Sequence, residues 1–237
     1  MTDRLAELGA NLAAVRAQIA DACAAAGRDP AEVTLIAVTK TFPATDVMLL
    51  SQLGVTDIGE NKDQEAAPKA AACAAAGLQV RWHFVGQLQV NKAASVVRYA
   101  EMVHSVDRVR LAEALGRRAG AAGRVVSCLV QVSLDENGPH AGRGGAAPGQ
   151  VLDVAAAIAA QRSLQLAGVM GIAPPGEPAA PAYGRLANIA AAVRGPYPGA
   201  GAISAGMSGD MSEAISAGAT HVRIGTALLG GRPPLVR

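Results

Sequence analysis

Short β-branched runs alternate along this chain with alanine-rich stretches in which the larger apolar residues recur every three or four positions. The runs predict eight strands: Val33–Lys40, Val55–Asn61, Val80–Val85, Met102–Val106, Arg124–Ser133, Leu164–Ile172, Ala202–Ser204 and Val222–Leu229. Between them the spacing predicts helices over Pro43–Leu53, Lys62–Ala76, Lys92–Tyr99, Arg108–Ala119, Pro148–Gln161, Tyr183–Val193 and Asp210–Ala217. A further helix, Asp3–Ala25, precedes the first strand. Its Leu5, Leu8, Leu12, Val15 and Ile19 share one face, which must pack against something.

Strands separated by helices pair in parallel, because parallel neighbours need a crossover connection. Segments such as VTLIAV and VVSCLVQV are apolar on both faces, as strands buried between an interior and a helix layer should be. Eight such units in 237 residues predict an α/β fold, a closed (β/α)8 barrel with an extra N-terminal helix, with an open doubly wound sheet as the alternative. The proline-rich stretch Pro174–Pro181 reads as a rigid loop, and the absence of a linker makes residues 1–237 one expected domain.

Composition changes this picture little. The hydrophobic fraction of 51% is inflated by 53 alanines beside 27 glycines, and no window of roughly 18 residues is free of charge, Gly and Pro. Asp3, Arg4, Glu7 and Arg16 stand where the apolar part of a secretory signal would lie, so none is expected. Cys23, Cys73 and Cys128 are odd in number and far apart, which argues against a disulfide framework or zinc site and for a reducing cytoplasm. A net charge of +2, six aromatic residues and no basic cluster offer little to a nucleic acid or a membrane surface.

The ligand site of such a barrel lies at the carboxyl ends of its strands, and three groups there carry chemistry. Lys40 follows the buried run LIAVT directly; a partly desolvated amine at a barrel mouth is the kind that forms a Schiff base, although a solvated lysine ending a strand looks the same in sequence. The turn SAGMSGDM, Ser204 to Met211, combines flexible Gly206 and Gly209 with the Ser208 hydroxyl and the start of a helix, a combination suited to a phosphate. The alternative is an ordinary helix start capped by Asp210 or Ser212. In Arg223-Ile224-Gly225-Thr226, Arg223 and Gly225 share one strand face, with Gly225 and Thr226 at the strand's end. Barrel closure would set Lys40, on strand one, beside strand eight.

The ordered motifs AVTKTFP, IGENKDQEAAPK, WHFVGQLQVNK, VHSVDR and SAGMSGDMSEAISAGATHVRIGTALLG resemble those of the pyridoxal phosphate homeostasis proteins, the YggS/PROSC-type family of alanine-racemase-like barrels. The resemblance runs from about Val33 to Gly231. It implies pyridoxal 5′-phosphate as cofactor, with Lys40 as the lysine of the internal aldimine, Ser208, Gly225 and Thr226 holding the cofactor phosphate with Met207 in the same turn, and Ser204 among the cofactor-binding residues. It implies further that Arg223 faces the pyridine nitrogen, that Asn61 lines the pocket and that His83 belongs to it, although a core histidine bonded to a backbone carbonyl fits His83 equally well. An arginine at the ring nitrogen opposes its protonation and weakens carbanion chemistry.

The sequence departs from the family after strand five, where a Ser-Lys-x-Gly pattern is common and this chain reads Glu136 to Gly145 without a lysine. His140 or Arg143 would have to supply the missing cation. The chain also ends six residues past Gly231, leaving no room for the racemases' second domain, and Tyr99, Tyr183 and Tyr197 fall in helix or loop positions. The expected function is therefore a monomeric cytoplasmic protein that buffers the coenzyme in vitamin B6 homeostasis and delivers it to apo-enzymes, without established turnover. The alternatives are a weak pyridoxal-phosphate-dependent racemase and a sugar-phosphate barrel enzyme, the latter leaving Lys40 unexplained.

Overall fold

A computed structural model of the chain describes residues 2–135 and 144–231. Eight parallel strands close into a barrel in sequence order: β1 (Thr34–Val38), β2 (Asp57–Glu60), β3 (Arg81–Phe84), β4 (Ala100–Val106), β5 (Val126–Val132), β6 (Leu164–Gly171), β7 (Ala202–Ser204) and β8 (His221–Ile224). Closure comes from β8 pairing with β1, from Thr34 opposite His221 to Ala37 opposite Ile224. The helices around it are α1 (Thr2–Ala25), α2 (Ala44–Gln52), α3 (Asp63–Ala75), α4 (Ala93–Tyr99), α5 (Val109–Ala121), α6 (Val151–Ala159), α7 (Ala179–Arg194), α8 (Met211–Ser216) and α9 (Thr226–Leu229). Among the described residues no helix is long and apolar enough to cross a membrane.

Two predicted boundaries move by four residues or more, for physical reasons. The last strand ends at Ile224 rather than Leu229, because Gly225 leaves the extended region (φ −110°, ψ −83°) and its carbonyl accepts the N–H groups of Leu228 and Leu229. That apolar run reads as strand in sequence, yet it forms a helical turn whose leucines are buried under α1. Helix α7 begins at Ala179, four residues before the predicted Tyr183, since a proline at position 181 falls in the first turn, where helix N–H groups lack intrahelical partners anyway.

The apolar face of α1 packs across the β1–β8 seam. Leu8, Leu12, Val15 and Ile19 are buried in one cluster with Val47 and Leu50 of α2, Ile215 of α8 and both leucines of α9. Polar groups fix its register: the Arg4 guanidinium donates to Asp46 at 2.6 Å and to the Leu229 carbonyl at 3.0 Å, and the Asn11 amide donates to the Leu228 carbonyl at 3.1 Å.

The barrel interior is unusually polar for a space normally filled by branched apolar side chains. Ring pairs His83–His104, His83–His221 and His104–His221 have centroids 5.1, 6.4 and 6.3 Å apart, and the buried Ser204 and Arg223 side chains complete the group. Burial pulls His221 down to about 4 and His104 well below the usual histidine range, with the neighbouring Arg223 charge acting in the same direction.

Two outcomes are expected. Leu12→Ala should cost about 2–5 kcal/mol in urea unfolding; an unchanged midpoint would contradict the docking of α1. For His221 the sign is set by its depressed pKa: the unfolded chain takes up a proton below about 6.5 that the folded chain refuses until about 4. Stability should therefore fall as pH drops through that interval, with His221 contributing on the order of 3 kcal/mol. A His221→Asn variant should show a shallower loss between pH 6.5 and 4, and an equally steep one would contradict the assignment.

Candidate functional site

At the carboxyl ends of the strands lies a cavity of about 570 Å³. Its wall brings together seven of the predicted site residues: Lys40, Asn61, Met207, Ser208, Arg223, Gly225 and Thr226. His83 and Ser204 stand behind the wall, buried inside the barrel. His140 and Arg143 lie outside the described residues.

Lys40 sits in the turn beyond β1, and two neighbouring elements hold that turn. The Thr39 hydroxyl donates to Glu60 Oε1 at 2.6 Å, while the Lys69 ammonium on α3 donates to the Thr39 carbonyl at 2.8 Å and to the same Glu60 oxygen. Glu60 and Lys69 are almost fully buried; burial pushes the Glu60 carboxyl up, and Lys69 opposes that shift. Removing either partner would leave the other charge buried and uncompensated. Next in the chain, Thr41 adopts a left-handed backbone (φ +70°), and its N–H donates to Glu65 at 3.0 Å. A non-glycine residue there costs on the order of 1–3 kcal/mol, so the surrounding contacts impose the turn that presents Lys40. Sequence reading missed Glu60 and Lys69; the available signal was a carboxylate inside a predicted strand nine residues before a lysine on a predicted helix.

A second part of the wall is the turn after β7. Gly206 has φ +89°, and a Cβ there would stand 2.7 Å from the Ala214 side chain, so the position requires glycine. The Gly206 carbonyl accepts the Arg223 N–H at 3.0 Å, which fastens the turn to β8. Asp210 precedes α8 but does not cap it. Its carboxylate instead accepts the Met207 N–H at 2.6 Å and the Tyr183 hydroxyl at 2.7 Å, bracing the loop so that Ser208 and Gly209 face the cavity. Burial and this bond to Asp210 push the Tyr183 phenol well above its ordinary range. The Tyr99 hydroxyl donates to Asp63, and among the described residues no tyrosine lines the cavity.

Arg223 forms the floor. It is 5% exposed, and its guanidinium donates to Ser204 Oγ at 2.7 Å and to the Gly171 carbonyl at 3.0 Å, both neutral acceptors. On the third side Asn61 Oδ1 is buried without a hydrogen-bond partner among the described residues. Gly86 closes against it: a Cβ would fall 2.0 Å from the Asn61 carbonyl oxygen. One cavity thus brings together an amine suited to a carbonyl carbon, two hydroxyls suited to a phosphate, the side of Asn61, whose Oδ1 is buried without a donor among the described residues, and a buried cation. The donor set fits a phosphorylated aromatic aldehyde, and Lys40 with Ser208, Gly225 and Thr226 would hold its two ends.

Comparison with known proteins agrees with this fold. The family described as "Alanine racemase, N-terminal domain" matches residues 10–233. The pyridoxal phosphate homeostasis protein of Mycobacterium tuberculosis is 43% identical over 97% of this chain and 95% of its own length. That of Escherichia coli is 36% identical over 95% and 97%. Among solved structures, PipY of Synechococcus elongatus, described as having PLP bound, superposes with a TM-score of 0.81 at 32% identity, covering 94% of this chain and all of that one. By sequence over nearly its whole length, and by the closed barrel it forms, the chain belongs to the pyridoxal phosphate homeostasis protein family.

Proposed function

We propose that this protein binds pyridoxal 5′-phosphate at the carboxyl-terminal mouth of its barrel and serves vitamin B6 homeostasis, sequestering the reactive aldehyde and releasing it to apo-enzymes. One observation carries the reading: the Lys40 amine, the Ser208 and Thr226 hydroxyls and the buried Arg223 guanidinium converge on a single cavity. The names of the curated relatives and the PLP-bound state described for PipY support it.

When bound, the coenzyme supplies an aldehyde open to a lysine amine and a ring able to withdraw electrons. Lys40, held by the braced turn, provides the amine for covalent attachment. Ser208 and Thr226 donate hydroxyls to the phosphate, beside the backbone of Gly209 and Gly225, and Met207 covers the rim. Asn61 Oδ1 accepts a donor from the ring substituents. Arg223 presents N–H groups to the ring nitrogen and, being always charged, keeps that nitrogen from taking a proton. His83 and Ser204 act only from behind Arg223. A site that attaches the coenzyme firmly while restraining its electron-withdrawing power suits a carrier better than a racemase. The protein would work as a cytoplasmic monomer, with apo-enzymes as transient partners.

With pyridoxal phosphate added, the protein should develop the visible absorption band of a lysine-bound coenzyme, and Lys40→Ala should lose it. An undiminished band in that variant would contradict the assignment. The loaded protein should restore activity to an apo-enzyme while leaving the α-protons of D- and L-amino acids unexchanged in deuterated water. Rapid exchange would establish the racemase alternative instead.

A further inference from the structure

Behind Arg223 a line of hydrogen bonds crosses the barrel from one mouth to the other. Arg223 Nη1 meets Ser204 Oγ at 2.7 Å, Ser204 Oγ meets His104 Nδ1 at 2.9 Å, His104 Nε2 meets His83 Nδ1 at 2.9 Å, and His83 Nε2 meets Asp57 Oδ1 at 2.9 Å. All five residues are at most 6% exposed. Asp57 begins β2, and together with Arg81 it lines a separate cavity of about 470 Å³ at the amino ends of the first strands. Arg81 closes this end of the line, donating to Asp57 Oδ1 at 2.8 Å and Oδ2 at 2.6 Å.

With neutral imidazoles, the two ends fix the direction of every bond between them. A guanidinium only donates, and an ionised carboxylate only accepts. With one proton on each imidazole, His83 must offer Nε2–H to Asp57, so its Nδ1 is an acceptor. His104 must then offer Nε2–H to His83, leaving His104 Nδ1 to accept the Ser204 hydroxyl. The Ser204 oxygen is thereby turned toward Arg223 as an acceptor. The opposite direction would set the bare Nε2 of His83 against the carboxylate. Burial raises the Asp57 carboxyl, but the hydrogen bonds from His83 and Arg81 outweigh it and hold the group ionised well below the usual carboxylate range.

From this geometry we infer that Asp57, His83, His104 and Ser204 form a one-directional hydrogen-bond line that orients Arg223, which makes Asp57, at the far mouth, a positioning residue for the cation beneath the coenzyme ring. The last clause rests on the function proposed above; the line itself does not. Its bonds polarise one another in a low-dielectric interior, so a change at Asp57 alters the lone pair that Ser204 presents to Arg223. Loosening Arg223 eases protonation at the ring face and shows in the pH at which the coenzyme band titrates.

Two measurements test this. In the coenzyme-free protein, nitrogen NMR of the histidine rings at pH 7 should find both His83 and His104 as the Nε2–H tautomer. An Nδ1–H tautomer or an imidazolium at either residue would overturn the direction, whether or not the coenzyme binds. In the loaded protein, Asp57→Asn and Ser204→Ala should each shift the band's titration by about half a pH unit or more in the same direction. The double variant should match the larger single shift, because both break one line. His104→Phe should reproduce the effect, and His104→Gln, whose amide can accept from Ser204 and donate to His83, should restore the parent value. Additive shifts, an unmoved Asp57→Asn or a Gln variant no better than Phe would overturn the positioning role. A parent protein that forms no band with pyridoxal phosphate would overturn the function and the role of Asp57 toward the ring, while leaving the NMR result to decide the line itself.

Discussion

A guanidinium that stays charged is buried in the middle of a parallel barrel with two neutral oxygens as its hydrogen-bond acceptors. Isolated charge in such an interior is costly, and the structure meets the cost in three ways. It surrounds Arg223 with polar rings and a hydroxyl instead of the usual branched aliphatic filling. It keeps His104 and His221 neutral, chiefly because burial disfavours their charged forms, with the Arg223 charge acting in the same direction. And it leaves one face of the guanidinium on a cavity, where water or an electron-rich ligand atom can complete its coordination. Much of what distinguishes this barrel from an ordinary packed one follows from that single residue.

The rest of the mouth sets the Lys40 amine and the Ser208 and Thr226 hydroxyls around the same space. Neither the Lys40 turn nor the Ser208 turn depends on a long loop. Each is clamped by side chains from the helix layer: Lys69 and Glu65 of α3 on one side, Tyr183 of α7 through Asp210 on the other. The outer helices therefore do more than cover the strands. α1 extends the same principle to the seam, where β8 ends early and α9 turns its leucines outward; without that cover the closing pair of strands would expose them.

Much of this was legible in the sequence, for identifiable reasons. Strand positions could be read because parallel barrel strands are apolar on both faces, and seven wall residues could be read because the ends of strands one, two, seven and eight fall beside Lys40, Asn61, Met207 and Thr226. The Leu228–Leu229 run misled, since a buried helical turn and a strand end share the same composition, and only the backbone of Gly225 separates them. Sequence alone allows His83 a backbone carbonyl partner, but a carboxylate at the start of another strand and a histidine from a third bind it. Such cross-barrel pairs depend on register, which one chain without a structure does not define. The available signal was the recurrence of His83, His104, His221 and Arg223 in strands that are otherwise apolar.

Under the proposed function one amine, Lys40, holds the coenzyme at the mouth above Arg223. Borohydride reduction of the loaded protein, followed by proteolysis and mass spectrometry, tests it most directly. One stably labelled peptide is expected, carrying pyridoxyl phosphate on Lys40, with Lys69 unlabelled because its ammonium is committed to Glu60 and Thr39 inside the wall. Label on Lys69, label spread over surface lysines, or none at all would contradict it.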